Sequence, residues 1–228
     1  MRLNKFLSHS GACSRRDADK LIQSGRVKVN GVVHIEPYIL KTGDTVMLDN
    51  KEVRLIEDTK IWSFYKPTGL ITTHKDEHHR PTVFNHPKIR QLREKYGHII
   101  SVGRLDFNSE GLLLLTNSRD FAHAYEKPSS EIKRAYRVRI YGTMTAESME
   151  QCRQGMCIEG VIYKPIDIEL DHHTANNRNT WLYVCLSEGK NREIRRIFSH
   201  FGLAVNRLIR VAYGKYNLDD MKPEDLRL

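Results

Sequence analysis

A chain of 228 residues with 37 Lys and Arg against 28 Asp and Glu carries a net charge of +9, which points to an anionic partner, either nucleic acid or a membrane surface. No apolar stretch approaches the ~20 residues that span a bilayer, and Met1-Arg-Leu-Asn-Lys lacks the apolar core of a signal peptide, so a cytoplasmic protein of one large domain, or a large and a small one, is expected. Cys13, Cys152, Cys157 and Cys185 form no C-x-x-C pair, and the adjacent pairs His78-His79 and His172-His173 are poorly placed to converge on one ion, so four reduced thiols and no metal are expected.

Residues 1–58 read as a compact unit. Leu3, Phe6 and Leu7 give a first helical stripe closed by Gly11, and Ser14 can cap a second helix in which Ala18, Leu21 and Ile22 repeat before Gly25. In "RVKVNGVV" Val27 and Val29 alternate with Arg26 and Lys28, and Asn30-Gly31 is a strong hairpin signal. A strand over 44–48 completes the unit. Residues 1–28 hold Arg2, Lys5, Arg15, Arg16, Lys20, Arg26 and Lys28 against Asp17 and Asp19. Arg15 and Arg16 fall in the first turn of a helix, where the macrodipole disfavours cations; a solvated face and a phosphate-binding surface are both open, and the continuation of basic residues along the next strand favours the second.

"LIEDTK", 55–60, reads as a short polar linker that permits independent motion of the N-terminal unit. Beyond it, strands are expected at 61–65, 99–102, 112–116, 136–141, 166–170, 181–186 and 204–212, and helices near 88–96, 146–154 and 191–201. Strands dominate and long βαβ spacing is missing, so the class is α+β, a small α/β unit followed by an antiparallel-rich domain over 61–228.

Two stretches carry candidate chemistry. In "GRLDFNSEGLLLLTN", 103–117, the leucine run reads as a strand buried on both faces, and Asp106 stands beside Arg104 in the loop before it. The residues leave a plain turn and a functional carboxylate both open. In "SEGKNREIRRIFSHFG", 187–202, Ile194, Ile197, Phe198 and Phe201 form a core-facing stripe, while Lys190, Arg192, Arg195 and Arg196 crowd the helix start. Each exposed cation there costs ~0.3–1 kcal/mol unless an anion is near, either RNA phosphate or a protein carboxylate. If Asp106 is that carboxylate, a neighbouring guanidinium holds it ionised, and an ionised, fixed aspartate is a nucleophile for covalent glycosyl transfer. Glu110 makes a retaining glycosidase pair conceivable as well.

The first unit, "RLNKFLSHSGACSRRDADKLIQSGRVKVNG", resembles the small RNA-binding domain named after ribosomal protein S-four. The 103–116 stretch resembles the signature of the bacterial ribosomal RNA pseudouridine synthases that carry such an N-terminal domain. "YKPTGLITT", "RPTVF", "KRAYRV", "EGKNREIRRIF" and "NRLIRVAYG" agree with that family in order. The resemblance implies an isomerase that needs no cofactor, with Asp106 as nucleophile, Tyr136 stacking on the target uracil and helping to move the proton of carbon 5, and Arg195 paired with the aspartate. It leaves Glu110, at a variable position, dispensable for catalysis. Residues implied to meet RNA are Arg15, Arg16, Lys20, Arg26, Lys28, Lys66, Arg104, Lys133, Lys190, Asn191, Arg192 and Arg196. Within the family the blocks look most like the branch acting on large-subunit ribosomal RNA, which commonly has a long basic C-terminal tail where this sequence stops at Leu228. A monomer bound to ribosomal RNA is expected. A small-subunit specificity, a non-catalytic ribosome-assembly factor and an RNA glycosidase using Asp106 and Glu110 are the alternatives.

Overall fold

The computed structural model describes residues 1–171 and 179–228, so the His172-His173 pair lies outside the described residues. The N-terminal unit starts with helices α1 (Leu3–His9) and α2 (Arg15–Gln23). Ser14 caps α2 as expected, its Oγ accepting the Asp17 N–H at 3.1 Å. Strands β1 (Val27–Val29) and β2 (Val32–Val33) form the expected hairpin, with Asn30 at φ 51° and Gly31 at φ 83°, the left-handed pair that a type I′ turn demands. Strand β3 is shorter than expected, Val46–Leu48, and is followed by an unexpected β4, Lys51–Val53. Asp49 and Asn50, at φ 50° and 62°, make the tight turn between them, a signal the sequence reading passed over. The four strands run β2-β1-β3-β4, and Leu3, Leu7, Ala18, Ile22, Val27, Val29 and Val46 bury a core of their own. Each fully buried Leu, Ile or Val contributes about 1.5–3 kcal/mol.

The rest of the chain builds a nine-stranded sheet. In order come β5 (Ile61–Lys66), α3 (Pro87–Tyr96), β6 (Ile100–Val102), β7 (Glu110–Thr116), α4 (Arg119–Glu126), β8 (Arg134–Tyr141) and α5 (Ala146–Gln154). Then follow β9 (Met156–Ile158), β10 (Val161–Tyr163), β11 (Asp167–Leu170), β12 (Asn179–Leu186), α6 (Glu193–His200), β13 (Val205–Tyr213), β14 (Tyr216–Asn217) and β15 (Leu226–Arg227). The main path is β11-β12-β8-β13-β7-β5-β15, with β6 beside β7 and β14 beside β13, while β9 and β10 pair separately. Pairing is antiparallel throughout the described sheet except between β13 and β7. The expected α+β class holds.

Strand β7 explains why four leucines stand in a row. Leu113 and Leu115 face one core with Trp62, Phe64 and Phe198, and Leu112 and Leu114 face the other with Tyr65 and Val102. All four are fully buried, because successive side chains of a strand point to opposite faces and both faces here are covered. Gly111, second in the strand, sits at φ 101°, and a Cβ there would stand 2.4 Å from Arg210 O, so only glycine admits the parallel contact with β13.

Two helix expectations need correction. Helix α4 was not anticipated, since its apolar residues Phe121, Ala122 and Tyr125 make too short a stripe; Ser118 caps it by accepting the Phe121 N–H. Helix α6 begins at Glu193 rather than 191, because Arg192 sits at φ 52° outside the helix. Lys190 and Arg192 therefore belong to a loop, and only Arg195 and Arg196 oppose the helix dipole. The linker does not leave the N-terminal unit free-standing. His98 N–H donates to Gly11 O at 2.9 Å, His9 Nδ1 lies 3.2 Å from Asp120 Oδ2, and Lys60 N–H donates to Asn117 Oδ1 at 2.8 Å.

Candidate active site

The 103–109 loop joins β6 to β7, and its backbone is tied down on several sides. Thr72 Oγ1 donates to Leu105 O at 2.9 Å, Gly69 N–H donates to Phe107 O at 2.9 Å, and Gly103 N–H donates to Glu126 Oε1 at 2.6 Å. Ser109 N–H closes the turn onto Asp106 O at 3.1 Å. From below, Lys66 Nζ donates to Ser109 O at 2.7 Å and Pro67 O at 2.9 Å. Lys66 is fully buried, and burial pushes its ammonium down to about 8, against the opposing charges of Asp106 and Glu110. Lys66 is thus removed from the RNA-contacting set: it supports the loop from inside and has no surface to offer RNA.

This framework sets the loop against a cavity of about 480 Å³, whose lining includes Arg104, Asp106, Tyr136, Arg192, Arg195 and Arg210. The Asp106 carboxylate is about one-third exposed, with Oδ2 3.4 Å from Arg192 Nη1. Arg195 makes no hydrogen bond to Asp106. Its Nη1 donates to Val205 O at 2.8 Å and its Nη2 to Asn108 O at 2.9 Å, clamping α6 to β13 and to the loop. Burial and the neighbouring Arg192 push its guanidinium below its ordinary value, and the charge of Asp106 opposes them, so the two stand within electrostatic reach. The direct ion pair expected of Arg195 is made by Arg192. Tyr136, on β8, is almost buried and contributes its side chain to the wall, opposite Val184 on β12 and Arg210 on β13.

Charge in the cavity is unbalanced. Arg104, Arg134, Lys190, Arg192, Arg195 and Arg210 line it against Asp106, Glu126 and Glu193, a lining suited to an anionic ligand. Glu193 is buried at the start of α6, where its Oε2 accepts the Lys190 N–H at 2.8 Å. Burial pushes its carboxyl up to about 7, with the neighbouring Glu188 adding to the rise. In the sequence Glu193 is only a partial offset to the surrounding cations, and nothing in the residue order marks its carboxyl as buried. Glu110 is absent from the lining. It lies buried at the start of β7, accepting Arg207 Nε–H at 2.6 Å and Tyr65 O–H at 3.2 Å. Asp106 and Glu110 therefore face separate surroundings and do not pair across the cavity.

A second, wider cleft of about 1670 Å³ runs between the N-terminal helices and the large sheet, and it shares Arg104 and Glu126 with the first. Arg15, Arg16 and Lys20 line it together with Arg93 and Arg119. The ring of His74 stacks on Phe84 at 3.6 Å and lies 4.7 Å from that of His98. Burial, with the nearby cations, pushes both imidazoles down to about 4, so they stand neutral. Other residues implied to meet RNA are spread out. Arg26 forks onto Asp49 and Lys28 donates to Asn50 Oδ1, both away from the two cavities. Lys133 is exposed and pairs with Asp167 at 3.4 Å. Lys190 pairs with Glu188 while Asn191 and Arg192 stand at the cavity rim, and Arg196 is exposed on α6 outside it.

Comparison with known proteins finds relatives along nearly the whole chain. A family model described as RNA pseudouridylate synthase matches residues 60–200, and an S4 domain model matches residues 1–46. A chain of Rickettsia bellii named an uncharacterized RNA pseudouridine synthase is 48% identical over 227 residues, covering 99% of this chain and 95% of that one. The ribosomal large subunit pseudouridine synthase B of Yersinia pestis is 36% identical over 232 residues, covering 95% of this chain and 68% of that one. Among solved structures, a pseudouridylate synthase superposes with a TM-score of 0.66 at 24% identity, covering 100% of this chain and 95% of that one.

Proposed function

The chain belongs to the RNA pseudouridylate synthase family, and on that premise we propose that it isomerises a uridine of bacterial large-subunit (23S) ribosomal RNA to pseudouridine with Asp106 as the nucleophile. The relative from Yersinia pestis, named for the large ribosomal subunit, supports this choice of RNA. The observation that carries the mechanism is the placement of Asp106 in one cavity with Arg192, Arg195 and Tyr136.

The reaction breaks the bond from ribose to N1 of uracil, turns the base and rejoins it through C5. The target uridine must leave its stack to enter the cavity, at a cost of a few kcal/mol, and stacking on Tyr136 returns ~1–3 kcal/mol. Asp106, held by its loop and facing Arg192, is presented to C1′. Arg195 acts on the same carboxylate through space while fixing the Asn108 backbone of its loop. Nothing passes to or from a second molecule, so the reaction as written needs no cofactor. RNA phosphates bind along the cleft lined by Arg15, Arg16, Lys20 and Arg104, which positions the strand without reading its sequence. In this reading the division of the chain falls at 58–61, the enzyme acts as a monomer, and it works in the bacterial cytoplasm where its RNA is. No helix among the described residues is long and apolar enough to cross a membrane.

The decisive experiment maps pseudouridine by carbodiimide tagging in ribosomal RNA from cells lacking the gene, complemented with wild type or Asp106→Asn. One large-subunit uridine is expected to regain its modification with wild type alone. A change confined to small-subunit RNA, or no change at all, overturns the proposal.

A further inference from the structure

Arg210 is buried to within 2% of its surface, and the reaction as described leaves it without a task. It lies on β13 at the point where Gly111 of β7 and Tyr136 of β8 flank it, and it lines the cavity that holds Asp106. Among the described residues its guanidinium makes a single hydrogen bond, Nε–H to Leu112 O at 2.7 Å, and no ion pair. Nη2 is buried with no partner. The guanidinium rests 5.0 Å from the Tyr213 ring centroid, and its charge adds to the downward push on the buried Lys66. The guanidinium is a cation, and a buried charge that no carboxylate faces is among the costlier features a fold can retain. Arg207, three residues earlier, shows the ordinary solution: its guanidinium forks onto Glu110.

We propose that Arg210 is a further catalytic residue, donating from its free guanidinium N–H groups to a carbonyl oxygen of the target uracil and stabilising the uracil anion that forms when the glycosidic bond breaks; this rests on the pseudouridylation reading. As the C1′–N1 bond breaks, its electron pair stays with the uracil, whose negative charge spreads over N1, O2 and O4. A carboxylate oxygen of Asp106 supplies the pair that bonds C1′. After the base turns, C5 bonds C1′ as the Asp106 oxygen departs with its pair, and the C5 proton is lost while N1 gains one, which restores a neutral isomer. Charge is greatest on the uracil oxygens between these two events. A fixed cationic donor holds that anion more strongly than the neutral carbonyl of the ground state, which is the differential binding catalysis requires. The β-register places Arg210 beside Tyr136, so one residue meets the face of the base and the other its edge.

The test uses single-turnover kinetics on a large-subunit RNA fragment that wild type modifies, with uridine or 5-fluorouridine at the target. It follows the disappearance of the N1-linked nucleoside after digestion, because a C5 fluorine cannot leave as a proton and the fluorinated target therefore yields no pseudouridine. Arg210→Gln is expected to lower the rate at saturating enzyme by about 10²–10³-fold with the Kd for RNA nearly unchanged. Because the 5-fluorouracil anion is intrinsically more stable, that loss shrinks at least about tenfold on the fluorinated RNA. Should Arg210→Gln not fold, wild type itself is assayed on RNA carrying 2-thiouridine or 4-thiouridine at the target, and one of the two, with its weaker acceptor, is expected to react about tenfold more slowly. Equal losses on uridine and 5-fluorouridine, a defect confined to Kd, or both thio-substituted RNAs reacting at the uridine rate overturn the inference while leaving the function standing. A wild type that isomerises no uridine overturns the functional reading and this inference with it.

Discussion

Around Asp106 the arginines are held. Arg195 spans two backbone carbonyls, Arg210 is buried against Leu112 O, and Arg192 faces the carboxylate itself. Along the cleft beside α2, Arg15, Arg16 and Lys20 stand exposed and form no ion pair among the described residues. Both regions are basic, but fixed charges stabilise one geometry of one group, whereas exposed unpaired charges lower the energy of many anion positions alike. The first kind suits a reacting centre and the second a strand that has to slide into register. Buried groups also tie activity to stability, so substitutions of the buried residues at the cavity affect both, those of the partly exposed Asp106 and Arg192 affect activity, and substitutions on α2 affect only affinity.

The sharpest way to break that contrast is Asp106→Asn, which should reduce single-turnover isomerisation on the order of 10⁴-fold or more while RNA affinity and thermal midpoint stay near wild type; comparable loss of binding would mean the residue only anchors RNA. Next in size, Arg195→Met should lower both kcat and the thermal midpoint, since two charge-assisted hydrogen bonds of about 1.5–3 kcal/mol each are lost. Arg192→Met should lower kcat alone. If the two variants melt alike, the division of labour between them fails.

The Arg15→Glu, Arg16→Glu double variant should weaken RNA binding about tenfold or more and flatten its salt dependence by roughly two phosphate contacts, with kcat at saturating RNA unchanged. Glu110→Gln should cost about 1–3 kcal/mol in stability through the weakened Arg207 fork, with the folded enzyme still forming pseudouridine. Abolished release of free uracil in that variant, measured by chromatography, would instead revive a glycosidase. The smallest effect is a pH trend. Glu193, with its carboxyl raised to about 7, binds more protons folded than unfolded between its unfolded value near 4.5 and about 7. It therefore contributes stability at low pH that is lost as pH rises through 7. Glu193→Gln should flatten the fall in thermal midpoint across that window.

Much of this was legible locally. Ser14 before an amphipathic repeat, Asn30-Gly31 between alternating valines, and four leucines between Gly111 and Thr116 each dictate their conformation through sterics, capping or burial within a few residues. Helix α4 and the Asp49-Asn50 hairpin were missed because their signals are short and their apolar residues acquire meaning only against the sheet. The sequence by itself determined the α+β class, the two-part layout, the family signature around Asp106 and the basic character of the partner-binding surfaces. The tertiary structure alone decided which charge does what. It sank Lys66 beneath the Asp106 loop and turned Glu110 onto Arg207. It put Arg192 rather than Arg195 against Asp106, and left Arg210 uncompensated beside Tyr136. These outcomes depend on contacts between residues 40 to 100 positions apart, and the strength of a charge interaction is set by burial and distance, neither of which is written in the order of the residues.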